Sequence, residues 1–332
     1  LVGLTDRIDA RLIFLGGCAF GTVGCLGFAL LARDFWSAAS CWTLVGAGLA
    51  GTYMPGLQIL NARLDDAARV RSVPWYTACF GIGTGASFAL MGVLLAYADW
   101  RLAAYLGAGG AMLAAMLVLF LVQPCPVAPL PASKKKRHPL DLRPAFRKPV
   151  ALGYIFAYGT HTYELFAFRT WSFALLVFLA SRADGGMGIG AVTTIVSLIT
   201  VTGMLASLLG ARLCLAFGRH RVIALIGGAT ALVSVIVAFN LDGPVWIAVA
   251  GLWIYNGFIM LDSGALTTGT VEAGDAHDRG ALLAVHSMIG FGGGALGAPV
   301  VGYVLDQAGG ASMIGAWFYA LLAMGAGSAI VF

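Results

Sequence analysis

The chain has 332 residues, of which 60% are hydrophobic and only 11% are charged, whereas soluble proteins carry about 25% charged residues. This composition excludes an ordinary water-soluble globular domain. The net charge of +5 does not indicate a nucleic-acid partner either, because the basic residues lie in short loops between long apolar stretches.

The apolar stretches are each about twenty residues or longer, which is the length that a helix needs to cross ~30 Å of hydrocarbon. Several of them, such as 12–31 and 222–241, contain no Asp, Glu, Lys or Arg. The sequence therefore predicts an all-α, polytopic membrane protein with about ten transmembrane helices. The predicted spans are 12–31, 36–60, 73–97, 101–122, 150–180, 188–211, 222–241, 244–271, 280–305 and 311–332.

The positive charges alternate between the two ends of these spans. Sixteen of the 20 Lys and Arg residues fall in every second loop, counted from the start of the chain. Positively charged loops stay in the cytoplasm, so we expect an integral protein of the plasma (inner) membrane with a cytoplasmic C-terminus. The basic run 134–137 is expected to face anionic lipid headgroups.

One connection is much longer than the others. Residues 123–149 are rich in proline and basic residues, which makes a membrane-crossing helix there implausible. We predict an N-terminal bundle at 1–122, a cytoplasmic linker at 123–149 and a C-terminal bundle at 150–332.

The two bundles repeat each other weakly. At an offset of 208 residues, Arg71 aligns with Arg279 in the same kind of loop. Parallel repeats of helical bundles occur in secondary transporters, and chance alignment of small residues is the alternative. Projecting the repeat backwards from Val150 predicts two further spans before Leu1, so that the parent protein would have twelve.

The opening residues 4–11, LTDRIDAR, resemble the loop after the second helix of the major facilitator superfamily. Asp6, Arg7 and Arg11 match that motif, whereas Val2 and Asp9 stand where the family usually has glycine. A degenerate second copy occupies 210–221. The resemblance covers the whole chain as family helices 3 to 12 and implies two pseudo-symmetric bundles.

The resemblance also implies that family helices 1, 4, 7 and 10 line a central cavity and that helices 2, 5, 8 and 11 form the seam between the halves. We expect close helix packing at this seam, with a hinge at Pro299. The antiporter pattern of the fifth helix contains a proline that the stretch 81–85 lacks, so no antiport assignment follows. The expected seam residues are Gly81, Gly85, Gly290, Gly294 and Pro299.

Ionisable side chains inside membrane spans are costly and point to function. Three of them, His161, Glu164 and Arg169, lie on one predicted helix, which the resemblance assigns to the cavity. At 1.5 Å per residue, His161 and Glu164 lie roughly 16–21 Å into this helix. A structural role for each of them, paired with another helix, is the alternative.

We expect Glu164 to carry a proton, since burial disfavours the charged form of a carboxyl, with His161 as a relay or gating neighbour. Arg169 would attract an anionic group of the substrate, although its long side chain could instead reach the outer surface. Asn256 would bond either substrate or a neighbouring helix. The residues expected to form the substrate and proton cavity are Tyr158, His161, Glu164, Arg169, Asn256 and Asp262.

A contact between Asp262 and His286 near the inner gate would respond to pH, because histidine titrates near neutrality. The loop charges that match the family motif would form ion pairs that close the cytoplasmic face. The alternative is that these charges only set the orientation of the helices in the membrane. The expected gating residues are Asp6, Arg7, Arg11, Arg71, Arg279 and His286.

The sequence shows no motif of a membrane enzyme, no metal-ligand spacing and no cofactor motif. It favours a monomeric secondary transporter that works by alternating access in a lipid membrane. The expected substrate is a small solute, for which an organic anion is one candidate. We expect transport to be coupled to protons through Glu164. A multidrug or metabolite efflux carrier remains an alternative, as does a non-transporting membrane sensor on the same scaffold.

Overall fold

The computed structural model describes residues 8–125, 142–183, 186–275 and 278–331. The regular structure of these residues is entirely α-helical. In chain order the helices are α1 (Ala10–Leu31), α2 (Phe35–Arg63), α3 (Asp66–Tyr97), α4 (Trp100–Leu121), α5 (Arg143–Phe146), α6 (Pro149–Arg182), α7 (Ile189–Phe217), α8 (Arg219–Phe239), α9 (Val245–Leu261), α10 (Ser263–Glu272), α11 (Arg279–Gln307) and α12 (Ile314–Val331).

The helices agree with the predicted spans. Eight segments of the described chain are long and apolar enough to cross a membrane. The remaining predicted spans, 36–60 and 73–97, lie within α2 and α3, which have 29 and 32 residues. The prediction of an all-α, polytopic membrane protein is confirmed.

Two features differ from the predicted elements. The predicted span 244–271 consists of two helices, α9 and α10, which meet at Asp262. The end of the predicted linker contains the short helix α5, whose Ala145 is fully buried against α6 and α11. Linker residues 126–141 lie outside the described residues.

The chain divides into two compact units. The first consists of the described residues within Leu1–Phe80 and Val93–Asp141, and the second of those within Gly81–Gly92 and Leu142–Phe332. In the first unit, α1 packs against both α2 and α4. The α1–α2 contact is close because glycines face each other: a Cβ atom on Gly51 would lie 2.8 Å from the Cα atom of Gly17. The predicted domain boundaries stay a prediction.

The second unit is arranged around α6. This helix packs against α7, α9, α10, α11 and α12. Its apolar core contains large side chains that are almost completely buried, including Phe168, Leu175, Tyr255 and Trp317. The polar side chains of His161, Thr162, Glu164 and Ser172 on α6 are therefore held inside a closely packed bundle.

Glycines bring the backbones of α6 and α11 together. Gly293 lies directly against the main chain of Gly159, and Gly297 lies against that of Tyr163. The hydroxyl of Thr162 donates a hydrogen bond to the Gly290 carbonyl oxygen at 2.6 Å. Small residues and hydroxyl groups are the usual means of helix association in lipid.

Gly297→Ala is expected to destabilise the protein by about 1–3 kcal/mol through overpacking. A Cβ atom there would lie 3.0 Å from the Tyr163 carbonyl carbon and 3.3 Å from the Ala167 nitrogen, and backbone atoms cannot rotate away. Gly292→Ala is the matched control, because a Cβ atom at Gly292 meets nothing within 4 Å. Unfolding of both purified variants in detergent tests this, and equal melting midpoints would contradict the expectation.

Candidate functional site

Glu164 lies at the centre of the second unit and is fully buried, with 0% of its surface exposed. The hydroxyl of Tyr255 on α9 donates a hydrogen bond to its Oε1 atom at 2.5 Å. The hydroxyl of Ser328 on α12 donates to its Oε2 atom. Each carboxyl oxygen therefore has a neutral hydroxyl partner, and the three groups come from three different helices.

The close approach of α12 to α6 makes this arrangement possible. A Cβ atom on Gly327 would lie 2.7 Å from the Thr160 carbonyl oxygen and 3.2 Å from the Cβ atom of Glu164. Because glycine has no side chain, α12 comes near enough for the short side chain of Ser328 to reach the carboxyl.

His161 lies one helical turn before Glu164 and contacts Asp262, at the junction of α9 and α10. The Nδ1 atom of His161 is 2.8 Å from the Oδ1 atom of Asp262, and the two residues are only 4% and 5% exposed. This is an ion-pairing distance, but Oδ1 makes no hydrogen bond of regular geometry.

The predicted contact between Asp262 and His286 is wrong, because the ion pairs of the described residues place Asp262 with His161. His286 instead lies between two hydroxyls of α10. Its Nε2 atom is 3.3 Å from the Thr267 hydroxyl and its Nδ1 atom is 3.1 Å from the Thr270 hydroxyl. Both ring nitrogens of His286 thus contact threonine hydroxyls on α10.

Tyr158 links the two histidines by ring stacking. Its ring centroid lies 3.8 Å from that of His286 and 5.8 Å from that of His161, with nearly parallel planes in both cases. Gly290 of α11 leaves the space that the Tyr158 ring fills. The structure therefore brings Tyr158, His161, Asp262 and His286 together.

Asn256 and Arg169 make contacts of their own. The amide of Asn256 donates to the Ile199 carbonyl oxygen on α7 at 2.8 Å, so this contact joins two helices. The guanidinium of Arg169 lies 5.8 Å from the ring centroid of Phe166. This distance is within the range of a cation–π contact, and the expected attraction of an anion stays a prediction.

The seam glycines pack closely, and all of the contacts described for them lie within the second unit. Gly81 and Gly85 lie against Met204 and Val201 of α7, and Ser197 donates to the Gly85 carbonyl oxygen at 2.7 Å.

The partners of Gly290 and Gly294 are Tyr158 and Phe166 of α6. Their contacts thus lie within one unit and not between the two halves. Pro299 lies inside the unbroken helix α11.

The predicted gating residues are only partly described. Asp6 and Arg7 lie outside the described residues, as do the side chains of Arg71 and Arg279. Arg11 donates to the Leu119 carbonyl oxygen at 2.7 Å and so ties the start of α1 to the end of α4.

Several ion pairs at the predicted cytoplasmic ends were missed by sequence reasoning. Lys148 contacts Asp275 and lies 3.7 Å from Asp278, and the hydrogen bond that Lys148 donates to the Asp275 carboxylate raises the pKa of Lys148. Arg219 and Glu272 pair at 2.8 Å. The sequence shows acidic and basic residues in these loops, but it does not show which of them form ion pairs.

Asp9, the apparent departure from the family motif, has a clear role in the first unit. Its Oδ1 atom accepts from the Arg11 main chain at the start of α1 and lies 3.8 Å from Arg63. Its Oδ2 atom accepts a hydrogen bond from the Cys125 amide at 2.9 Å. Among the described residues, no group of three or more His, Cys, Asp or Glu could hold a metal ion.

The family model of the Major Facilitator Superfamily matches residues 2–298. The chain belongs to this superfamily. Its members are transporters, so the protein is a secondary transporter, integral to a membrane and not an enzyme. No curated protein sequence matches the chain.

Solved structures of superfamily members share this fold. The nucleoside transporter NupG is similar with a TM-score of 0.72 at 14% identity, over 100% of this chain and 84% of that one. The E. coli fucose:proton symporter FucP is similar with a TM-score of 0.60 at 16% identity, over 100% and 86%.

A bacterial homologue of the human lysosomal transporter Spinster, in an inward-facing conformation, has a TM-score of 0.70 at 15% identity, over 100% and 83%. At these identities the likeness establishes the fold alone.

Tyr255→Phe is expected to lower the free energy of unfolding by about 1–3 kcal/mol, because it leaves the buried Oε1 atom of Glu164 without its donor. Tyr303→Phe is the matched control, since the Tyr303 side chain is exposed on α11. Unfolding of both variants in detergent measures the difference. A Tyr255→Phe protein as stable as the control would show that the bond contributes nothing.

Proposed function

We propose that this superfamily member is a proton-coupled transporter of a small polar solute, working by alternating access, in which Glu164 binds and releases the coupled proton. The observation that carries the proposal is that both carboxyl oxygens of Glu164 meet hydroxyl groups, at full burial.

Hydroxyl partners suit a carboxyl that changes its protonation state. A hydroxyl can donate to a carboxylate or accept from a protonated carboxyl. Tyr255 and Ser328 therefore provide hydrogen-bond partners for Glu164 in either state. A lysine or arginine partner would hold the carboxyl ionised, and within the described residues Glu164 forms no such ion pair.

The cost of burial supports the same role. An ionised carboxyl in an apolar interior is very unfavourable unless a cation or several donors compensate it. Two neutral donors compensate it in part, so a change in solvent access or helix position would shift the balance between the two protonation states. Alternating access supplies such a change.

The solute class follows from two sources. The similar structures include a fucose:proton symporter and a nucleoside transporter, which makes sugars and nucleosides the first candidates. Arg169 beside Phe166 makes organic anions the second. We further propose a location in the plasma (inner) membrane as a monomer, with the linker and C-terminus in the cytoplasm, from the loop charges.

Glu164→Gln is expected to abolish uptake driven by a pH gradient, because a glutamine cannot take up or release the proton. The purified protein is first screened for thermal stabilisation by monosaccharides, nucleosides and organic anions. Uptake of the stabilising compound into proteoliposomes is then measured with and without an inward proton gradient. The variant should keep exchange of the compound at equal pH on both sides.

Glu272→Gln is the matched control, since Glu272 lies at the exposed end of α10; it should keep gradient-driven uptake. Equal stimulation of the Glu164→Gln and wild-type proteins by the gradient would exclude Glu164 as the coupling group. A wild-type protein that binds a compound but never accumulates it would instead favour a sensor.

A further inference from the structure

We propose that His161 and Asp262 form a second proton-binding site, separate from Glu164, at the junction between α9 and α10. The inference does not depend on Glu164 carrying the transported proton.

The first argument is the geometry of the pair. His161 on α6 and Asp262 at the α9–α10 junction approach to 2.8 Å between Nδ1 and Oδ1. Both side chains are almost completely buried. Within the described residues, neither forms an ion pair with any other residue, so each is the principal electrostatic partner of the other.

The position of Asp262 is the second argument. It precedes the first residue of α10, where an aspartate normally accepts hydrogen bonds from the first-turn amides. Here the Asp262 side chain makes no such capping bond. Its carboxyl lies against His161 instead, so an ordinary structural role as a helix cap does not account for it.

The charge balance is the third argument. An ionised carboxyl beside a neutral imidazole leaves one net negative charge in the interior, which is costly. When the pair takes up one proton from water, an N–H bond forms on the imidazole or an O–H bond on the carboxyl, and the pair has no net charge. Releasing that proton to water restores the negative charge, so binding and release are balanced.

The surrounding groups do not replace this proton. The titratable groups that interact with the pair are Tyr158 and Glu164 of α6, Cys214 of α7 and His286 of α11. Arg219 of α8, a cation that interacts with Cys214, is 2.8 Å from the Glu272 carboxylate of α10. The charge of Arg219 is thus largely compensated by Glu272.

Two atoms of the pair are buried without a hydrogen-bond partner among the described residues: the Nε2 atom of His161 and the Oδ1 atom of Asp262. Buried polar atoms are normally paired. An atom without a fixed donor or acceptor can gain or lose a proton without breaking a hydrogen bond, whereas an atom bonded to a group that only donates or only accepts cannot. The unpartnered atoms therefore fit a pair that changes its protonation state.

The test uses infrared difference spectra of the full chain in liposomes, recorded between acidic and alkaline buffer without any substrate. The wild-type spectrum should contain a pH-dependent carboxyl or imidazole band from the pair. His161→Gln and Asp262→Asn should each remove this same band, whereas Glu164→Gln should leave it.

The inference is overturned if the band survives in either the His161→Gln or the Asp262→Asn protein, or if Glu164→Gln alone removes every buried-group band. The second result would support Glu164 and reject the pair. Conversely, loss of coupled uptake in Glu164→Gln has no bearing on the pair, so the two proposals fail separately.

Wild-type protein labelled with ¹³C-aspartate or ¹⁵N-histidine covers the case in which a variant does not fold. One of the two labels must shift the pH-dependent band if the pair holds the proton. A band that neither label shifts would also reject the proposal.

Discussion

The bilayer interior offers no water to hydrogen-bond or to screen charge, so a polar group placed there is costly unless it finds a partner within the protein. The second unit is organised by this constraint. Glu164, His161 and Thr162 lie within one turn of α6, and their partners come from four other helices: Tyr255 on α9, Asp262 at the start of α10, Gly290 on α11 and Ser328 on α12. The position of α6 follows from these contacts.

The glycines make these polar contacts possible because they let the helices approach closely. Short polar side chains such as Ser328 reach their partners only when the backbones come close, and glycines such as Gly327 and Gly297 allow that approach. Glycine therefore contributes to the site although it carries no functional group.

Glu164 and Asp262 illustrate how different neighbours give similar side chains different properties. Glu164 has hydroxyl partners, whereas Asp262 has an imidazole partner. Both environments compensate a buried charge only in part, which is the basis of the two proposed proton-binding roles. By contrast, the Asp275 carboxyl lies in a loop, where it is exposed to solvent and forms an ion pair with Lys148.

The sequence by itself determined the membrane class, the helix positions and the superfamily, because hydrophobic length, loop charge and loop motifs are local properties of the chain. It also identified Glu164, His161 and Asp262, since an ionisable residue within an apolar span is visible without a structure. Only the tertiary structure decided the partners. Asp262 pairs with His161 and not with His286, and Asn256 bonds the backbone of α7. These contacts depend on the rotation and spacing of helices that are far apart in sequence, and those follow from packing across the whole bundle.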